Sequence, residues 1–312
     1  MGPLADDKIC PNRSVYYNTD YLKPQCEKCF GLCCVALYFS AQDGFPTDKS
    51  AGSPCPNLGT DFRCMIHEKL GTLGLKGCVA YECFGAGQQV SQVTFAEKNW
   101  KLEPSSANLM FEVFLIMRQL HEMCWYLCEA LSFKLPLSVH KEIGESLRIT
   151  ESMTKYSPIA LMELNLSAHR VKVSALLKNA SNLVRRDISR ANRITYHANN
   201  GRKSTADYFG KDLRKKDLRG ANLRGTCLIA ANLQGTDLCG TDFLGADFRD
   251  TNLKGADLAK SIFLSQPQIN VAKGDSKTKL PFSLVHPQHW DDENARIPHG
   301  SSTKEHSSSQ PG

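Results

Sequence analysis

Four thiols fall within nine residues near the N-terminus: Cys26 and Cys29 with two residues between them, then Cys33 and Cys34 after three more. Cys55, Cys64, Cys78 and Cys83 follow, and His67 stands three residues beyond Cys64. Thiolates two or three residues apart reach one metal ion from a single tight turn, and Cys64 with His67 has the same short reach. Eight thiols and one imidazole exceed the ligands of one tetrahedral centre. The set therefore allows two sites, a small iron–sulfur cluster, or one site with spare thiols. Such ligands select zinc or iron over calcium or magnesium. A closed thiolate site would be structural, and an open position would permit chemistry. Disulfides are the rival reading. The N-terminus, however, shows no basic start followed by an apolar core, so the expectation is a cytoplasmic protein whose clustered cysteines, eight of thirteen, serve metal or redox chemistry. Cys10 reads as incidental. Cys124 and Cys128 lie four apart on an apolar helix face and read as core. Cys227 and Cys239 are expected to point outward.

These ligands need elements to hold them. Residues 26–104 are Cys-rich with Gly and Pro punctuation and few long apolar runs, so cross-links must contribute to the fold. Residues 105–203 read as helical. Met110, Val113, Phe114, Met117, Leu120, Cys124, Leu127, Cys128 and Leu131 recur at three- and four-residue steps, and Pro136 stops the helix they predict. A shorter helix is expected over 138–154. Another should start near Pro158, carry Leu161, Leu164, Ala168, Val171, Leu176, Leu183 and Ile188 on one face, and end at Asn199-Asn200-Gly201. Charges at Glu112, Arg118, His121, Glu122 and Glu129 argue against a membrane span in the most apolar stretch. Residues 1–25 read as irregular, 266–290 as a cap, and 291–312 as a polar, disordered tail.

Residues 204–265 repeat every five residues. The anchors are Tyr208, Leu213, Leu218, Leu223, Leu228, Leu233, Leu238, Phe243, Phe248, Leu253, Leu258 and Phe263. Two residues before the anchor the side chain is small in ten of twelve cases, the exceptions being Lys211 and Lys216. A period of five suits neither a helix, where it scatters the leucines, nor a flat strand, where it alternates them between faces. A four-sided coil resolves the conflict, with the anchor and the small residue inward and the other three positions in water.

Segments such as A-N-L-R-G, T-D-L-C-G and A-D-F-R-D resemble the pentapeptide-repeat family. The resemblance implies a right-handed quadrilateral β-helix. Some members protect DNA gyrase by imitating duplex DNA. The C-E-K-C-F-G-L-C-C run is similar to cysteine-cluster domains described as zinc- or iron-chelating, with later cysteines in similar order. The expected fold class is thus mixed: a Cys-rich, metal-stabilised N-terminal domain, an α-helical middle, and a C-terminal β-solenoid.

Charge is uneven. Between Lys178 and Arg224 thirteen Lys or Arg face four Asp, a local +9 in a chain of net +6. This stretch, with Arg185, Arg186, Arg190, Arg193, Arg202 and Lys203, allows nucleic-acid binding. Stacking aromatics are sparse and no nucleic-acid-binding signature appears, so a solvated face is favoured. The first repeats are basic and the later ones acidic (Asp237, Asp242, Asp247, Asp250), which fits a DNA mimic poorly. The leading expectation is a non-enzymatic, metal-binding module that engages a protein partner, with a homodimer allowed. The alternatives are a topoisomerase-protecting or antibiotic-resistance protein, and an iron-dependent or redox enzyme using the cysteines. No Ser/His/Asp or phosphate-loop motif supports another enzyme class.

Overall fold

A computed structural model describes residues 17–192 and 207–290. Cys10, Arg193, Arg202, Lys203, most of the expected N-terminal segment and the tail 291–312 lie outside the described residues. So does the expected helix end at 199–201.

The centre of the molecule is α4, Ala107–Leu131, preceded by the short helices α1 (Leu32–Ala36), α2 (Lys76–Val79) and α3 (Ala86–Gln88). Every position whose recurrence predicts α4 is buried, from Met110 to Leu131. Burying a side chain of this size contributes about 1.5–3 kcal/mol, so the stripe commits the helix to the core. Pro136 takes an extended conformation and starts α5, Leu137–Met153, which packs back on α4. Among the described residues no helix is long and apolar enough to cross a membrane.

The helix expected to start at Pro158 is two helices. Ser157 caps α6 (Pro158–Met162), accepting from the Ala160 amide at 3.3 Å, and Asn165 starts α7 (Leu166–Asn192), accepting from the Ala168 amide at 3.0 Å. The break shifts the phase of the second half. Ala168 and Val171 are therefore exposed, and the buried face runs through Val173, Leu177, Ala180, Ser181, Val184, Arg185 and Ile188.

The expected right-handed quadrilateral β-helix is corrected. Among the described residues there is no strand and no sheet, and the regular elements are eight α-helices with short 3-10 and π turns. The repeat is a coil of turns joined by isolated parallel bridges twenty residues apart, such as Asp207 to Cys227 to Asp247 and Asn222 to Asp242 to Ile262. The reason is local. Each five-residue side closes with a turn in which the anchor's carbonyl accepts the amide three residues on, as in Ala231 to Leu228 and Ala246 to Phe243, both 2.9 Å. One residue per side remains for a bridge, which is too short for a strand. The anchors Leu213 to Phe263 are all buried, Tyr208 partly so, and Lys211 and Lys216 are exposed. Beyond the repeat, α8 (Gln266–Asn270) carries a capping box, and the chain then bridges back onto the last turn through Lys273 to Asn252 and Lys279 to Asp257.

One side of the coil is not in water. Asp242, Ile262 and Cys239 are buried against α4 and α7. Cys239, expected to face outward, is covered there. Ser181 donates to the Asp242 carboxylate at 2.5 Å, Arg224 pairs with the same carboxylate at 3.2 Å, and the Arg185 Nε donates to the Gly220 carbonyl at 2.9 Å. Glu129 on α4 accepts the Phe263 amide at 3.0 Å.

Candidate metal centre

The cysteines are presented by turns. Cys26 opens a 3-10 turn whose carbonyl accepts the Cys29 amide at 3.2 Å. Gly31 then takes φ +67° and reverses the chain into α1, which carries Cys33 and Cys34. A Cβ at Gly31 would lie 2.6 Å from Leu58 Cδ1 and 2.9 Å from the Phe62 carbonyl, so only glycine fits. The Cys55 amide donates to the Cys34 carbonyl at 2.9 Å. Residues 55–64 fold as a small hairpin, with Leu58 bridged to Cys64. Cys78 lies in α2, and Cys83 accepts the Ala86 amide at the start of α3. A chain of rings, Phe30, Phe62, Trp100 and Phe111, ties these loops to α4 at centroid spacings of 5.4, 5.7 and 5.8 Å. Trp100 donates its indole N–H to the Phe30 carbonyl at 2.8 Å.

Seven of the eight expected thiol ligands are at least half-buried, Cys26 is exposed, and all eight are free. The Cys33 and Cys34 sulfurs are 3.9 Å apart. Cys34 is held below the ordinary thiol range by its hydrogen bond with Cys33, with the Lys49 ammonium and Cys64 adding to the effect. Cys33 is correspondingly held well above. Burial pushes up Cys26, Cys29, Cys55 and Cys64, and takes Cys78 and Cys83 to about 12. Backbone amides oppose this at four sulfurs: Gly31 and Leu32 at Cys29, Asn57 at Cys55, Ile66 at Cys64, and Gly85 and Gly87 at Cys83. Amides aimed at sulfur favour the thiolate, the form that binds metal.

His67 is placed differently. It is exposed on its own 3-10 turn, tied to Cys64 only through a backbone bond of 3.3 Å. Among the described residues no group of three or more His, Cys, Asp or Glu stands in ligating geometry. Thiols, partly shielded and in four cases supplied with backbone amides, are the donor type that soft ions take.

Two residues near the thiols carried no sequence signal. Lys49 extends its ammonium over the Phe39 ring at 4.4 Å, donates to the Val35 and Leu37 carbonyls, and is pulled down by burial. Tyr81, between Cys78 and Cys83, has a buried hydroxyl without a hydrogen-bond partner. Its place between two cysteines was the only available hint. Cys124 and Cys128 are buried on α4, as core packing requires.

Part of the basic stretch is consumed internally, while Lys178, Arg186 and Arg190 on α7 are exposed. Arg214 and Arg219 pair with Asp212 and Asp217 at 2.7 and 2.8 Å, Arg224 holds Asp242, and Arg185 is buried. Lys211, Lys215 and Lys216 stay exposed. The cysteine span reaches the coil directly through Lys76, which pairs with Asp250 at 2.6 Å.

A coil of five-residue sides with buried anchors, fused to a helical body, defines a repeat protein. Eight copies of the family described as Pentapeptide repeats match residues 210–238 and 226–263, so the coil carries those repeats. It is also 49% identical over 269 residues to the uncharacterized protein YybG of Bacillus subtilis (strain 168), covering 86% of this chain and 95% of that one, and is a member of the same family as YybG. No solved structure matches.

Proposed function

We propose that this protein is a metal-binding pentapeptide-repeat protein that acts as a protein-interaction module in the cytoplasm. Zinc or iron is the ion the donors suit. Cys26, Cys29, Cys33, Cys34, Cys55, Cys64, Cys78 and Cys83 are the residues that would hold it. The observation that supports this best is the gathering of eight unbridged thiols around α1, with backbone amides directed at four of the sulfurs. A bound ion would supply the cross-link that a span with few long helices needs in order to fold. The repeat coil would offer the partner a rigid face, because its outward Asp and Arg side chains are already fixed by ion pairs. Metal analysis of the anaerobically purified full chain, with a visible spectrum of the same sample, tests the metal half. Folded protein carrying neither zinc nor iron would sink it.

A further inference from the structure

The last turns of α7 lie against the first turn of the coil, residues 207–226. Arg185 Nε donates to the Gly220 carbonyl at 2.9 Å, and a Cβ at Gly220 would stand 3.4 Å from Ile188 Cγ2 and 3.5 Å from Ser189 Oγ. Two basic segments are thereby joined. Lys178, Arg186 and Arg190 are exposed on α7, and Lys211, Lys215 and Lys216 are exposed on the first turn. Among the described residues none of these six forms an ion pair, whereas Arg214, Arg219 and Arg224 of the same turn each hold an aspartate. Two exposed carboxylates of the same segments, Asp187 and Asp207, are likewise outside any ion pair among the described residues, so cations prevail. The next turn, 227–246, has no Lys or Arg and two Asp, so the coil's charge changes sign one turn on.

The chemistry of this face selects its partner. A stable protein contact needs an apolar centre with well-packed anchors. Between residues 172 and 281, Phe209 is the one large apolar side chain exposed among the described residues. A phosphate backbone asks for less: cations that displace its counterions, held at a fixed spacing. The docked end of α7 supplies that spacing, because Arg186 and Arg190 are one turn apart on a helix tied to the coil by Arg185 and Ile188. We propose that the end of α7 and the first turn of the coil together form a nucleic-acid-binding face, which takes the phosphodiester backbone through Lys178, Arg186, Arg190, Lys211, Lys215 and Lys216. Contacts to phosphate position the duplex and carry no sequence information, so the face binds without base preference. This surface goes beyond the protein-interaction reading above and requires no bound metal, so either can fail without the other.

The test is fluorescence anisotropy of the full wild-type chain against two labelled DNA duplexes of unrelated sequence, with salt as the variable. Both duplexes should bind equally at about 50 mM salt and weaken about 10³-fold by about 200 mM, the loss expected of six phosphate contacts. Lys215→Gln with Lys216→Gln should reduce the slope of log affinity against log salt by about 2, and Arg186→Gln with Arg190→Gln should do the same. Lys254→Gln with Lys277→Gln alters two exposed lysines beyond the second turn and should change neither affinity nor slope. All these positions are exposed, and an unmoved denaturation midpoint verifies that each variant is folded. No binding at the lower salt, or an equal loss in the Lys254 and Lys277 control, overturns the proposal. Discrimination between the two duplexes overturns the backbone-only mode. Polyglutamate that displaces the labelled duplex as readily as unlabelled duplex of equal charge also overturns it, and assigns the face to an acidic protein.

Discussion

In the repeat, every fifth residue is a large apolar side chain under the stack, and each turn is closed by its own backbone bonds, as with Thr236 to Leu233 at 3.2 Å. In the cysteine span the helices α1 to α3 are three to five residues long, and glycines reverse the chain between them. The span's buried apolar side chains fall in small groups, Leu32, Val35 and Phe39, then Leu70, then Phe84 and Val90, with loops between the groups. The coil thus draws its stability from many equivalent local contacts, whereas the cysteine span depends on a few ties: the Phe30–Phe62–Trp100 rings and the Lys76–Asp250 pair. A repetitive unit spreads the loss of one contact over its neighbours. A loop-rich unit concentrates the loss where the tie is cut.

The sharpest test of that contrast is metal removal. A chelator should destabilise residues 26–94 by on the order of 10 kcal/mol, the scale of structural thiolate sites. Hydrogen exchange should show amides of that span opening while those of the repeat stay protected. Equal loss in both regions would erase the distinction. Phe243→Ala, removing a fully buried ring 5.0 Å from Phe248, should cost about 3–5 kcal/mol in denaturant unfolding and leave metal stoichiometry unchanged. Asp242→Ala probes the junction between the coil and the helical body. Burial pushes the Asp242 carboxyl up against the pull of Arg224 and Ser181, and removing it strands Arg224, at a cost of about 3–5 kcal/mol. Loss of α7 docking should appear as new exchange at amides of 173–188.

Gly240→Ala should cost about 1–2 kcal/mol for its φ of +64°. The new Cβ would also fall 1.8 Å from Ile188 Cδ1, so Ile188 must turn away. Adding Ile188→Ala should relieve the crowding and leave the backbone cost, which a double-mutant cycle would separate. The smallest effect belongs to the outer face. Arg214 holds the exposed Asp212 carboxyl down from its ordinary 3.8 to about 2. A depressed carboxylate contributes stability above its unfolded pKa and loses it as pH falls through the folded value, so the window runs from near 3.8 to about 2. In solvent this contribution is slight. Asp212→Asn should leave the denaturation midpoint unmoved at pH 7, and a carboxyl NMR titration of the wild type should read the lowered value.

Much of this was legible residue by residue. The anchor ladder and the α4 stripe depend on neighbours within a few positions, and periodicity reports such neighbours directly, whereas α4 ends at Leu131 and Pro136 starts the next helix instead of stopping this one. The cysteine spacing marked the thiols, but not Lys49 or Tyr81, because nothing local links a lysine or a tyrosine to a sulfur it meets only after folding. The expected strands were overturned because the period fixes which residues turn inward and says little about how many can bridge once corners are closed. The α6–α7 break was missed because Asn165 works through one capping bond in an otherwise helical sequence.

By itself, the amino-acid order determined a five-residue inward rhythm, a long central helix and a concentration of thiols too dense for chance. These are short-range properties, written in spacing and side-chain size. Only the tertiary structure decided that Asp242 and Cys239 lie beneath α7 and that Lys76 reaches Asp250. Each of those depends on which faces are covered, and burial and charge pairing between residues distant in the chain exist only once the chain has closed on itself.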